Sequence, residues 1–168
     1  MLNLSVFKEI MIRIAFSYVA KSTEGKIDSK TEIFIDAVNL LWNLSEASDT
    51  ALQMVHKNNL IELLMKHACL QPFGHRVVTS VLQCLFTISE DCKEPILSNL
   101  KEYGSVMTAL KSIDGENPQD LHIKLLAYGI ELNLVEANGE QIESLWSEIL
   151  QIISLVLEQD QRKLVSKI

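Results

Sequence analysis

Chain breakers are scarce in this sequence. Only 3 prolines and 6 glycines occur in 168 residues. That excludes a fold built from many tight turns and favours long regular elements. Positive charge is also short: 15 Lys and Arg stand against 22 Asp and Glu, a net charge of -7. A duplex nucleic-acid binder needs a basic field, so direct nucleic-acid binding is not expected. An acidic surface suits basic partners, although acidity of this size also serves solubility alone. Cysteine is limited to Cys69, Cys84 and Cys92. The odd count and the spacing match no zinc pattern, which leaves buried, reduced thiols in an intracellular protein. No apolar run approaches the roughly 18 residues of a membrane span, so no membrane partner is expected. The start of the chain lacks a basic leader, and Lys8, Glu9 and Arg13 interrupt its apolar stretch, which does not suit a signal peptide. Without secretion, the glycosylation sequons at Asn3 and Asn43 are accidental.

Catalytic signatures are missing too. The phosphate-cradling glycine loop, the dinucleotide-binding glycines and the zinc-protease helix motif do not occur. His56, His67, His75 and His122 are dispersed, without a cysteine or carboxylate at metal-ligand spacing. His56 and His67 read as exposed helix-end residues. Cys84 reads as packing. The expectation is a protein that is not an enzyme, with no catalytic residues, no metal and no cofactor.

What is present is a repeat. Leu41-Trp42-Asn43-Leu44-Ser45-Glu46 recurs 44 residues later as Leu85-Phe86-Thr87-Ile88-Ser89-Glu90. A weaker copy, Glu131-Leu132-Asn133-Leu134-Val135-Glu136, follows at an offset of 46. Periods of about 40–47 residues are those of armadillo and HEAT repeats. Hydrophobic residues make up 48% of the chain, enough for a continuous core. The fold expected is an all-α armadillo/HEAT-type solenoid of about three to four repeats. It forms one domain over 1–168, with units at roughly 1–46, 47–90 and 91–136 and a further helix at 140–158.

Each copy closes a long helical pattern, and a short helix, a second helix and a loop follow it. In the second unit, Asp49-Thr50 cap a short helix, Asn58-Asn59 make a corner and Leu60 opens the next helix. Gln71-Pro72-Phe73-Gly74 break it, and a long helix covers 75–89. In the third unit Pro95 opens a short helix, 103–113 forms the middle helix, 114–118 is a loop, and the long helix covers 120–136. Asn138-Gly139 turn into an amphipathic helix at 142–157. Residues 6–19 read as the middle helix of an upstream unit, and 21–30 as a polar loop. The array is therefore expected to be truncated at its N-terminal end, with apolar surface exposed near 6–19.

The long helices carry two apolar sides with a narrow polar strip between them. In the first, Ile33, Ala37, Leu40, Leu41 and Leu44 form one side; Ile35, Val38 and Trp42 form the other. Asp36, Asn39, Asn43 and Glu46, spaced by 3 and 4, form the strip. The second long helix repeats this with Arg76, Ser80, Gln83, Thr87 and Glu90. The third has His122, Leu126, Gly129, Asn133 and Glu136. A helix sandwiched on two sides is the inner helix of a solenoid. Stacking would set Asn39/Asn43, Gln83/Thr87 and Gly129/Asn133 side by side as a ladder on the concave surface. Amides donate and accept at once, so such a ladder suits an extended peptide backbone. The alternative is a strip that is only solvated inner surface, with Asn43 bonded locally. Trp42 reads as core packing rather than a ligand platform. Acidic corners such as Glu90-Asp91 read as a solvated rim that attracts basic partners.

These segments resemble a known family. Ala37-Val38-Asn39-Leu40-Leu41-Trp42-Asn43-Leu44-Ser45-Glu46-Ala47-Ser48 is similar to an inner helix of the symportin family of HEAT-repeat-containing proteins. The similarity continues through Asn59-Leu60-Ile61-Glu62-Leu63-Leu64, Val81-Leu82-Gln83-Cys84-Leu85-Phe86-Thr87-Ile88-Ser89-Glu90-Asp91 and Leu125-Leu126-Ala127-Tyr128-Gly129-Ile130-Glu131-Leu132-Asn133-Leu134. The resemblance implies an adaptor and chaperone of the cytoplasm and nucleus. Such proteins co-import the two large-subunit ribosomal proteins that join 5S rRNA, with a transportin-type receptor. The groove would take an extended basic segment of one client, through Asn39, Asn43, Gln83, Thr87 and Asn133, with Asp36 and Glu90 alongside. The family's acidic loop, which would engage the other client, falls near 21–32, where this chain is short and nearly neutral. The competing expectation is a structural scaffold that docks by its convex face and holds nothing in the groove.

Overall fold

A computed structural model describes residues 31–47, 60–68, 70–91, 93–115, 117–135 and 139–165. These form six helices: α1 (Thr31–Ala47), α2 (Leu60–His67), α3 (Leu70–Asp91), α4 (Lys93–Lys111), α5 (Pro118–Leu134) and α6 (Gly139–Val165). Among the described residues there is no strand. The expected helix at 6–19, the loop at 21–30, the Asp49-Thr50 cap, the Asn58-Asn59 corner, Cys69, Cys92 and His56 lie outside the described residues.

The helices form an all-α solenoid. α3 packs between α1 and α5, and these three long helices make one row. α2 and α4 pack on each other and on α3, with α4 also against α5, as a second layer. α6 packs on α5. The three row helices run parallel, because their ends pair like with like. Glu32 near the start of α1 meets Arg76 near the start of α3, and Trp42 near the end of α1 meets Thr87 near the end of α3. His75 and Asp120 then join the starts of α3 and α5, while Asn133 and Ser89 join their ends. The separations in sequence are 44 or 45 residues, matching the sequence period.

Between the layers lies one core. Val38 and Leu41 from α1, Leu64 and Met65 from α2, Val77, Val81 and Leu85 from α3, Ile96 from α4 and Ile130 from α5 are all buried in it. Phe34, absent from either apolar side read in the sequence, is among the largest fully buried side chains. His67 lies buried against it, with ring centroids 4.7 Å apart, and is not the exposed helix-end residue expected. Ile33, expected on an apolar side, is exposed. Cys84 is buried as expected, and loss of hydration pushes its thiol up to about 12.

Three boundaries differ from the sequence reading. α3 starts at Leu70 rather than near His75. Pro72 sits in its first turn, where no donor is needed. Gly74 takes a left-handed φ of 77°, so the backbone distortion falls where the break was expected. α4 is one helix of 19 residues, not two. Its Pro95 again lies in the first turn, and its single interior breaker, Gly104, costs only about 1 kcal/mol. Residues 91–136 therefore hold a helix pair rather than a triplet. α6 extends to Val165, beyond the expected end at 157.

Candidate functional site

The open side of the row is where the expected strip falls. On α1, Asp36 and Asn43 are exposed and Asn39 is half-buried. On α3, Arg76 and Glu90 are exposed, while Gln83 and Thr87 are half-buried. Spacings of three and four keep each set on one helical face, and parallel stacking sets the faces side by side. Asn43 donates its amide to the Asn39 carbonyl at 2.7 Å, a local bond that uses one of its two N–H groups. The Glu46 and Glu136 side chains lie outside the described residues.

Three expected members of the strip do other work. Ser80 is buried. Gly129 is buried beneath the ring of Phe86: a Cβ there would meet Phe86 Cε2 at 2.8 Å. The absent side chain lets the Phe86 ring settle over α5, which closes the ladder at that level. Asn133 donates to Ser89 Oγ at 2.8 Å, and Ser89 Oγ donates to the Phe86 carbonyl at 2.6 Å. Asn133, half-buried, thus clasps α5 to α3. Thr87 is also engaged, because it accepts the Trp42 indole N–H at 2.9 Å. Trp42 is half-buried on the core and ties α1 to α3. The wet ladder is therefore continuous over α1 and α3 and interrupted at α5.

At the other end of the row lies a groove the sequence reading did not find. It has a volume of about 440 Å³ and is lined by Ile35, His75, Arg76, Thr79, Ser80, Pro118, Gln119 and His122. Asn117 caps α5, accepting from the backbone N–H groups of Gln119 and Asp120 at 3.0 and 2.9 Å. Asp120 is buried, bonds the Asn117 amide, and takes His75 Nε2 at 2.7 Å. The sequence sets no carboxylate beside the histidines at metal-ligand spacing; folding brings this pair together across 45 residues. The repeat period was the signal that could have found it. Arg76 makes a forked contact with Glu32 at 2.5 and 2.9 Å. That hydrogen bond, then the charge of Glu32 and more weakly that of Asp36, hold the guanidinium above its ordinary value.

Among the described residues, no group of three or more His, Cys, Asp or Glu side chains could hold a metal ion. No helix among them is long and apolar enough to cross a membrane.

With this geometry in place, comparison with known proteins gives the same architecture. The human HEAT repeat-containing protein 3 is 29% identical over 141 residues, covering 77% of this chain and 19% of that protein. The chain is similar to HEAT repeat-containing protein 3. The mouse protein of that name is 33% identical over 80 residues, covering 46% of this chain and 12% of its own length. The resemblance read from the inner-helix segments is borne out. The chain spans about a fifth or less of the length of these relatives. No protein-family model matches it. No solved structure matches it.

Proposed function

We propose that this chain is a protein-binding segment of a helical-repeat adaptor, and that it holds an extended basic segment along the open face of α1 and α3. The observation that carries this reading is one face on which Asp36, Asn39 and Asn43 lie beside Gln83 and Glu90. All five are exposed or half-exposed, on two parallel helices fixed by buried aliphatics. Amide groups meet the alternating donors and acceptors of a peptide backbone. Asp36, Glu90 and Asp91 add exposed negative charge, the charge of Glu32 being met by Arg76 on the same face, and the whole chain carries -7. That field favours encounter with cationic segments. Solenoids use such open faces to bind other proteins.

The resemblance to symportins supports a finer version. The clients would be the two large-subunit ribosomal proteins that join 5S rRNA. The setting would be import from cytoplasm to nucleus with a transportin-type receptor. The role is that of a carrier and chaperone, not a catalyst.

The test is titration of the chain with the basic N-terminal segments of those two ribosomal proteins. Asn39→Ala/Gln83→Ala removes two side chains worth about 1 kcal/mol each, so affinity should fall by roughly tenfold or more. Asn133→Ala should change affinity far less at matched fold. Absence of binding, or binding indifferent to Asn39 and Gln83, would favour a scaffold that docks elsewhere.

A further inference from the structure

The groove at the starts of α3 and α5 holds a hydroxyl that the fold does not use. Ser80 is only 7% exposed, and its side chain makes no hydrogen bond with the described residues. A serine inside a helix has a ready acceptor in the carbonyl four residues back. Ser112 and Ser154 use theirs, on Thr108 and Leu150, at 2.7 and 2.9 Å. Ser80 does not, and it lines the groove of about 440 Å³. A donor and acceptor is therefore held, nearly buried, for whatever enters there.

The charges around it are already matched. Arg76 forks with Glu32 and feels the charge of Asp36 more weakly. His75 meets the carboxylate of the buried Asp120. An anion in the groove would be opposed by Glu32 and Asp36, and a cation by Arg76. Either would lose water without a free counter-charge to replace it. What the groove offers beyond these pairs is hydrogen-bonding capacity: the hydroxyls of Ser80 and Thr79, the amide of Gln119 and the imidazole of His122. The buried Ile35 adds an apolar wall. A carboxamide matches this set, because its head donates and accepts without net charge and its stem is apolar.

We propose that this groove seats the carboxamide side chain of an asparagine or glutamine of a partner protein, its stem against Ile35 and its amide on the Ser80 hydroxyl. Small-molecule sites enclose their ligands; this groove has exposed rims in Arg76, Pro118, Gln119 and His122, which suit a side chain presented by a peptide. The inference rests on the reading of the chain as a protein-binding segment, but not on where a basic segment lies.

NMR titration of the 168-residue chain tests this, with a capped alanine pentapeptide carrying Gln at its centre as the probe. Signals of Thr79, Ser80 and His122 should shift and saturate in the millimolar range. The counterparts with Glu or Ala at the centre should bind more weakly by about tenfold. Ser80→Ala should weaken the Gln peptide by about tenfold and leave Tm no lower, because the hydroxyl has no partner in the fold to lose. Asn39→Ala/Gln83→Ala should leave pentapeptide binding unchanged. If basic segments fail to bind while the pentapeptide still does, only the reading of the α1 and α3 face falls. Equal binding of the Gln peptide and either counterpart, no saturable shift at Ser80 and His122, or a Tm lowered by Ser80→Ala would overturn the proposal.

Discussion

Gly129→Ala sets two effects of known sign against each other. In a helix interior, alanine is favoured over glycine by about 1 kcal/mol. The new methyl, however, would lie 2.8 Å from Phe86 Cε2 and 3.1 Å from Cδ2. The Phe86 backbone is held, since its carbonyl accepts from Ser89 and, at 3.4 Å, from Asn133. Only the ring can yield, and it must give up its seat on α5 to do so. Overpacking of this kind costs about 1–3 kcal/mol. The clash should win narrowly, with a net loss of about 1 kcal/mol. In a Phe86→Ala background the clash is gone and the same substitution should stabilise by about 1 kcal/mol. The cycle thus has a coupling of about 2 kcal/mol. Urea unfolding followed by helical circular dichroism measures all four chains, and for a chain of this size each kcal/mol moves Tm by about 2–4 °C. Stabilisation by Gly129→Ala in both backgrounds would refute the packing of Phe86 on Gly129 and the helix register that produces it.

Thr87→Val removes the acceptor of the Trp42 indole and should cost about 1 kcal/mol, read by urea unfolding; no loss would separate α1 from α3 at that level. Asn117→Ala deletes the cap of α5 and should cost about 1 kcal/mol in the same assay. Asp120→Ala leaves both His75 and Asn117 without their carboxylate and should cost about 1–3 kcal/mol. Cys84 gives a pH dependence. Its native thiol is raised to about 12 from 9.0, so between those values the unfolded chain releases a proton that the folded chain keeps. This contribution is therefore fully present below pH 9 and is lost as pH rises, by about 1.4 kcal/mol per unit up to about 12. Cys84→Ala should flatten that slope in stability measured from pH 8 upward, and the wild-type thiol should resist alkylation at pH 8 until the chain unfolds.

The row of long helices was legible because its signals are periodic. Apolar residues on two sides of 31–47 and 75–91, recurring after 44 residues, leave little choice but stacked inner helices. The extents of α3 and α4 were less legible. Pro72 looks like a breaker in a string of letters, yet it sits in a first turn where proline costs nothing, and the helix that Pro95 was expected to open runs on through Gly104. The strip was legible as spacing along each helix, but burial within it was not: Ser80 and Gly129 are buried. Whether Asn133 faces solvent or clasps a neighbour depends on Ser89, 44 residues away, and Gly129 disappears under a ring from the preceding repeat. His75 and Asp120 were each seen, but only the fold makes them a pair. Such cross-repeat contacts follow from the period combined with parallel stacking. Aligning the chain on itself at 44–46 residues would have exposed several of them before any coordinates.

The face between α1 and α3 is best tested by placing a photo-reactive side chain at Gln83 and, separately, at Ser105, which is exposed on α4 in the other layer. After illumination with the basic ribosomal-protein segments, adducts should form at position 83 and not at 105, and unlabelled segment should compete them away. Adducts at 105 alone would contradict the account, because the partner would then lie on the opposite layer of the solenoid.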